Sequence, residues 1–437
     1  MKPKQVKNLL SSVISEVASA PQNCCVDPDR NFTRKRKISL KTLIRGIINM
    51  EGKSLSNELI DVFPGNEDMP SVSAFVQQRN KIKPEAFEVV FNKFTSRVTK
   101  PSSEMVTLAV DGSDIRLPDN PDELPTRLPG CSTQDPYNSL HLNALYDLNS
   151  LVYRDAIIQN GAQENEGLAL QQMVDRSDIP LALIIADRGY ESYNSMAHIQ
   201  EKGWFFLIRI KDGKHGIKNG FDLPDEDCFD LNITLNLTRK QTKEVKDLLK
   251  DRNHYRFIPQ SSSFDYLPKH SRKADPLVFY TIGFRIVRFK VSADLYETVI
   301  TNLDADTYPS EELKKLYASR WGIETSFRDL KYTIGLLKYH SKKTACIRQE
   351  IFARLTLYNF VEVITSHVVI SKKQRKYTYK CNFSVATHIC RLFLRGQTSP
   401  PYVESAIAQN LVPIRPNRER GRSRTESALQ RFFYRVA

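Results

Sequence analysis

The chain has 437 residues, 41% of them hydrophobic, enough to bury a sizeable core and fill two or three domains or subdomains; this excludes a disordered tail or a mini-protein that depends on staples. The formal net charge of +14 makes a polyanion the leading expectation for a partner. Its distribution is uneven, at +7 for residues 1–100, −7 for 101–337 and +14 for 338–437, as in a carboxylate-rich centre flanked by cations that hold a phosphate backbone.

At the N-terminus, basic residues ahead of LLSSVISEVASA imitate a secretory signal, but Glu16, Ser11, Ser12, Ser15 and Ser19 break the apolar run. Val6, Leu9, Leu10, Val13, Ile14 and Val17 recur at helical spacing, so an amphipathic helix is predicted. Ser39 to Met50 carries Leu40, Leu43, Ile44, Ile47 and Ile48 on one stripe. Further helices are predicted from Ser54 to before Pro64, from about Ser71 and from about Pro84. With the RKRK run at 34–37, residues 1–100 read as an N-terminal helical DNA-binding domain. A plain helical bundle solvated by its cations fits the same pattern.

From about residue 105 the period changes. MVTLAVD, SLHLNALYDL and SLVYRDAIIQ read as strands, ENEGLALQQMVDR as a helix, LALIIAD as a strand, SYNSMAHIQEK as a helix and WFFLIRI as a strand. The order βββαβαβ implies a mixed α/β fold, a mixed sheet with helices packed on it. In such sheets active groups gather at the carboxyl ends of strands. Asp111 after VTLAV and Asp187 after LALIIA each end such a run. Residues 101–211 are then the first part of a core, 212–305 a β-rich insertion holding one helical piece, QTKEVKDLLK, and 306–370 the second part, opening at Pro309-Ser310 with a serine cap. A basic C-terminal region, 371–437, ends in the arginine-rich stretch 415–427, suited to DNA binding or dimerisation.

No window approaches eighteen apolar residues; FVEVITSHVVI at 360–370 is broken by Glu362 and His367, so no membrane partner is expected. Seven scattered cysteines without C-x-x-C spacing suggest neither a disulfide framework nor structural zinc, and fit a reduced cytoplasm. Cys381, His388 and Cys390 lack a fourth ligand.

The segment YASRWGIETSFRDLK spaces Tyr317, Arg320, Glu324 and Lys331 by three, four and seven residues, which returns them to one helical face. Two strand-end carboxylates plus one helical carboxylate suit two-metal phosphodiester chemistry, in which paired Mg²⁺ ions acidify the attacking oxygen and neutralise the leaving one. Asp111 would bridge the metals, with Asp187 on one and Glu324 on the other, while Arg320 and Lys331 hold phosphates. Taken singly, each residue has a blander reading: Arg320 with Glu324, and Glu324 with Arg328, as surface i,i+4 pairs, and Asp111 and Asp187 as turn or cap residues. Asp114 rivals Asp111 as the first carboxylate; Asp111 is preferred because it directly ends the apolar run.

Together, VTLAVDGSDIRLP, LIIADRGYESYN, FFLIRIKDG and YASRWGIETSFRDLKYTIGL resemble the DDE transposases of bacterial insertion sequences, in particular the insertion-sequence-four family with its YREK signature, over about residues 70–360. The resemblance implies an RNase H-like catalytic core interrupted by a mostly β insertion, dependence on two Mg²⁺ ions that Mn²⁺ can replace, and a nucleoid-associated cytoplasmic protein. It also implies cut-and-paste movement of an element by a homodimer acting on the element's double-stranded terminal inverted repeats and on target DNA. It places the catalytic and metal-binding triad on Asp111, Asp187 and Glu324, and the phosphate-contacting positions on Tyr317, Arg320 and Lys331. Some relatives stack a flipped base on an aromatic of the insertion. Both tryptophans, Trp204 and Trp321, fall outside that region, which offers Phe279, Tyr280, Phe284 and Phe289 instead. A repressor or structural factor derived from such an enzyme, and an RNase H-like nuclease without strand transfer, are the alternatives.

Overall fold

The computed structural model describes residues 1–34, 37–63, 69–99, 104–132, 135–211, 216–270, 278–292, 295–368, 377–414 and 433–434. The centre of the RKRK run and the arginine-rich stretch at 415–427 lie outside the described residues.

Helices α1 (Pro3–Ala18), the single turn α2 (Pro21–Cys24), α3 (Leu40–Asn49), α4 (Leu55–Val62), α5 (Val72–Arg79) and α6 (Glu85–Val98) open the chain. Ser39, Ser54 and Ser71 each accept a hydrogen bond from the backbone N–H three residues on, at 3.1, 3.4 and 3.2 Å, satisfying a donor that the first helical turn leaves orphaned. The apolar stripe of α1 is buried at Val6, Leu10, Val13, Ile14 and Val17. These helices do not enclose a core of their own. They pack on α12 (Thr344–Thr365), a helix buried almost all round, with ring pairs Phe91–Phe352 and Phe94–Phe360 at 6.0 and 6.3 Å. A buried ion pair, Arg79 to Glu350 at 2.8 Å, ties α5 to α12. Burial alone would raise the Glu350 carboxyl, but Arg79, His340 and Arg354 outweigh it and hold it far below the usual range.

The sheet is mixed and ten-stranded. Its strands are β1 (Val106–Arg116), β2 (Arg127–Leu128), β3 (Tyr137–Asp147), β4 (Val152–Asn160), β5 (Ala182–Ala186), β6 (Phe205–Arg209), β7 (Phe229–Thr238), β8 (Tyr255–Phe257), β9 (Tyr280–Ser292) and β10 (Leu295–Thr301). Both β2 and β4 pair with the outer edge of β3, and the order continues β3-β1-β5-β6-β10-β9-β7-β8. Between strands lie α7 (Glu166–Arg176), α8 (Tyr193–Glu201) and α9 (Lys243–Leu248). Apart from the two-residue β2, the order strand-strand-strand-helix-strand-helix-strand over 106–209 follows the sequence expectation, with β3 antiparallel to β1, β4 antiparallel to β3, β5 parallel to β1 and β6 parallel to β5. The β-rich stretch extends this sheet rather than building a second one, because β10 hydrogen-bonds to β6 through Val299 opposite Arg209. Within it Phe284 and Phe289 are buried in core clusters, and the Tyr280 hydroxyl donates to Glu201 at 2.9 Å.

After the sheet come α10 (Ser310–Ser319), α11 (Trp321–Arg328), β11 (Lys338–Tyr339), α12, β12 (Thr378–Cys381), α13 (Phe383–Arg395), α14 (Pro400–Gln409), β13 (Leu411–Ile414) and β14 (Phe433–Tyr434). Ser310 is the first helical residue of α10 rather than its cap, and Pro309 stands at the cap. Among the described residues, no helix is long and apolar enough to cross a membrane. The all-apolar strand β5 explains its own burial: Ile184 and Ala186 join the cluster under α7 and α8, while Leu183 and Ile185 face α10. Helices α10 and α11 thus cover the face of the sheet opposite α7 and α8.

Candidate active site

Strand β1 keeps its antiparallel ladder with β3 from Leu108 to Arg116, but pairs with β5 only from Val106 to Ala109, opposite Ala182 to Ile185. Asp111 and Asp187 each stand two residues past that last pair, Ala109 and Ile185. Continuing the register sets them side by side, on the face that Ala109 and Ile185 occupy. The expectation that Asp111 ends its strand is corrected: β1 runs five residues further, because β3 goes on pairing with it after β5 has stopped. Asp187 does end β5, and its carboxylate accepts from the Arg188 N–H to cap the short turn Arg188–Tyr190.

Glu324 comes from above. Helices α10 and α11 meet at Arg320, whose N–H reaches Tyr317 O at 3.1 Å and whose carbonyl accepts from the Ile323 N–H at 3.1 Å. These three-residue bonds tighten the join while leaving Arg320 helical, so Tyr317, Arg320 and Glu324 share one face as the spacing predicts. Leu313 and Tyr317 pack with Ile185, and Ile323 and Phe327 belong to the cluster of Ala109, which fixes this face over the two aspartates. Lys331 departs from the single-helix expectation. It lies in a π-helical turn, Asp329–Thr333, where the Ile334 N–H reaches Asp329 O at 2.9 Å. Its ammonium sits in the attractive fields of Asp114 and Asp111, although burial, the larger effect, lowers its pKa.

The electrostatics of this corner favour added positive charge. Burial pushes Asp111 up to about 6; the Glu324 and Glu166 carboxylates add to the rise, while the Gly112 N–H and Arg320 oppose it. Arg320 is 8% exposed and donates to Glu324 Oε1 at 2.8 Å, so the surface-pair reading fails for it. Its guanidinium lies 5.8 Å from the Tyr317 ring centre and 5.5 Å from that of Trp321. Three buried polar atoms here have no hydrogen-bond partner: Tyr317 Oη, Tyr190 Oη and Arg320 Nε. Tyr317 feels Arg320 and Asp187, and Tyr190 feels Glu166, Asp111, Asp187 and Arg320. Orphaned donors beside grouped carboxylates fit a site that takes divalent cations and phosphate oxygens.

The sequence reading missed Glu166, His141 and Glu164. His141, on β3 opposite Asp114, has Nδ1 2.7 Å from Asp114 and 3.3 Å from Glu164, and Nε2 3.1 Å from Glu166. Burial would lower its pKa, but the hydrogen bonds to Asp114 and Glu166 prevail and raise it to about 9. Asp114, the rival first carboxylate, is therefore engaged by His141. Among the described residues, Asp114, His141 and Glu164 bring three ligand atoms within 4.8 Å of one another; Asp111, Asp187 and Glu324 are not drawn together that tightly. Two acids at the start of α7, Glu164 and Glu166, were the available signal, but an acid in a first helical turn also complements the helix dipole.

Residues 102–360, more than half of the chain, match the family described as transposase DDE domain. A curated relative, transposase InsG for insertion sequence element IS4 of Escherichia coli (strain K12), is 23% identical over 354 residues, covering 77% of this chain and 72% of the relative. Among solved structures, the cryo-EM structure of the piggyBac transposase synaptic complex with hairpin DNA aligns over 95% of this chain and 86% of that one, at 11% identity and a TM-score of 0.45.

Proposed function

The chain belongs to the DDE transposase domain family, enzymes that transfer polynucleotide strands in DNA transposition, and from that premise we propose that it cuts DNA at the ends of an insertion sequence and joins the freed 3′-hydroxyl to target DNA. Members of this family generally use divalent metal ions. The reading is carried by the register of β1 and β5, which part at Ala109 and Ile185, two residues before Asp111 and Asp187, on the face covered by α10 and α11, and by the proximity of Arg320 and Glu324 to Asp111.

In this reading Asp111, Asp187 and Glu324 would hold two Mg²⁺ ions, which lower the pKa of the attacking oxygen and neutralise the leaving one. Arg320, buried, and Lys331, partly buried, grip the phosphates that flank the scissile bond, and the Tyr317 and Trp321 rings help to orient the Arg320 guanidinium. The Tyr317 hydroxyl, buried and unpartnered, offers a hydrogen bond to the same backbone. An RNase H-like core over 101–211 and 306–370 is supported by the five-strand order β4-β3-β1-β5-β6, with residues 212–305 as the insertion that widens its sheet. Residues 1–100 and 371–437 would hold DNA beyond the cut. Beside the π-helical turn a small cleft of about 280 Å³ brings Lys53, Lys338 and His388 together with Glu51, so basic side chains stand between the two regions. Pairing of two ends calls for a homodimer.

The test is cleavage of double-stranded DNA carrying the sequences that flank this reading frame, with Mg²⁺ or with EDTA, for the wild type and Glu324→Gln. Metal-dependent cuts at the element boundary that vanish in the variant are expected. Equal cutting by both proteins, or specific binding without any cut, would overturn the assignment.

A further inference from the structure

Resting on the reading of Asp111, Asp187 and Glu324 as metal-holding carboxylates, we propose that Glu166 is a fourth carboxylate of that centre, a direct ligand of a divalent cation, held in position by His141. The argument begins with two glycines. A Cβ on Gly112 would stand 2.2 Å from Glu166 Oε1 and 2.3 Å from His141 Nε2, and one on Gly189 would stand 3.3 Å from Glu166 Oε2. Neither glycine has a positive φ, so what each supplies is the absence of a side chain rather than conformational freedom. Gly112 follows Asp111 directly, and Gly189 follows Asp187 by two. The Glu166 carboxylate therefore lies against both backbone segments that present the strand aspartates, one oxygen toward each.

Its position is built, not incidental. Asn165 caps α7, accepting from the Leu168 N–H at 2.9 Å, and this sets Glu166 at the first helical position. Oε1 is taken by His141 Nε2 at 3.1 Å, and the 8%-exposed imidazole is braced on its other nitrogen by Asp114 and Glu164. That leaves Oε2 directed to the Asp187 side. A separate observation points to a ligand at the same spot. The Tyr190 hydroxyl, in a residue 1% exposed, has no hydrogen-bond partner, and the charges acting on it most strongly are Glu166, Asp111 and Asp187, all of one sign. A buried donor in the field of three carboxylates and of Arg320, bonded to none of them, is suited to a cation-bound water held between it and those carboxylates.

The experiment is titration of the metal-free full-length protein with Mn²⁺ alone, followed by the electron paramagnetic resonance signal of free Mn²⁺, for the wild type, Glu166→Gln, Glu166→Asp and Asp111→Asn. Glu166→Gln is expected to weaken Mn²⁺ binding by about 10-fold or more, as loss of a metal-site carboxylate should. Glu166→Asp should recover part of the loss, and the Mg²⁺ concentration for half-maximal cleavage should rise in parallel. Wild-type Mn²⁺ affinity in Glu166→Gln would overturn the proposal. The Asp111→Asn control separates the two levels: if it loses Mn²⁺ while Glu166→Gln keeps it, only the fourth carboxylate falls. If Asp111→Asn binds as the wild type does, the triad assignment falls as well. Should Glu166→Gln fail to fold, as read by circular dichroism, Glu166→Asp decides by the same measure: the shortened carboxylate binds Mn²⁺ more weakly if Glu166 is a ligand, and wild-type binding overturns the role.

Discussion

Replacing Asp111 by asparagine should abolish cleavage and yet stabilise the metal-free protein. In the folded chain the carboxyl titrates at about 6 rather than 3.8, a difference of roughly two units, or about 3 kcal/mol at about 1.4 kcal/mol per unit. The sign follows from proton binding. Between about pH 4 and pH 6 the native state keeps a proton that the unfolded chain has released, so stability falls as pH rises through that window. Above it the full penalty stands, and below it both states are protonated and the penalty is absent. Asparagine is neutral throughout and can keep the 2.9 Å bond that the Gly112 N–H donates to Oδ1. In urea denaturation with EDTA near neutral pH, Asp111→Asn should therefore be more stable, with about 3 kcal/mol as the ceiling, since the side chain is not fully enclosed. The difference should shrink to nothing below about pH 4. Millimolar Mg²⁺ should raise the wild-type midpoint and leave the variant unmoved, because only a ligand that favours the folded state stabilises it. If the variant is no more stable than the wild type at neutral pH, or its advantage survives acidification, the account of a carboxylate strained by burial and by its acidic neighbours is wrong.

Other consequences are independent of that one. Glu350→Ala strands Arg79 and His340 without their buried partner and should cost about 3–5 kcal/mol in chemical denaturation, loosening the N-terminal helices first in hydrogen exchange; a loss below about 1 kcal/mol would contradict the buried-network reading. Arg320→Ala and Lys331→Ala should weaken binding to element-end DNA and flatten the log–log dependence on salt by about 0.9 for each phosphate no longer neutralised; an unchanged slope would mean that these residues do not grip the DNA backbone. Gly112→Ala should keep the wild-type circular dichroism spectrum while cleavage falls, because the added methyl group displaces Glu166 and His141; full activity would mean that those side chains move aside without consequence.

How much of this was legible in the sequence depends on where each feature gets its cause. LALIIA could be read as a buried strand because six apolar residues in a row bury both faces, and Asp187 directly follows its last residue. The serine caps at 39, 54 and 71 were readable for the same reason: the donors they satisfy are local. Asp111 was found, but its strand was cut short. GSDIR has no apolar run, and what holds it extended is the ladder to β3, thirty or so residues away. The helical face of Tyr317, Arg320 and Glu324 follows from periodicity, whereas the π turn under Lys331 shows no sequence mark. It arises where the helix must turn under α13, whose Arg391 donates to Ile334 O at 2.9 Å.

Glu166 was invisible for a further reason, which bears on what the site is for. An acid at the start of a helix is accounted for by the dipole alone, and only the two glycines, more than seventy residues apart and each beside an aspartate, reveal that its carboxylate has been given room. A fold gains nothing by gathering Asp111, Asp187, Glu324 and Glu166 at one corner. Burial first, and then the repulsion of Glu324 and Glu166, lifts Asp111, and the two nearby cations, Arg320 and Lys331, are too few to balance the four carboxylates. His141 does not relieve the excess, since its charge is already matched by Asp114 and Glu164 on its other edge. Such an arrangement persists when the missing positive charge arrives with function. On the proposed reading, two divalent cations would reverse the sign of the corner and make it attractive to phosphate, so the metal-free protein would hold its substrate weakly there and the loaded one would hold it where the scissile bond meets the carboxylates.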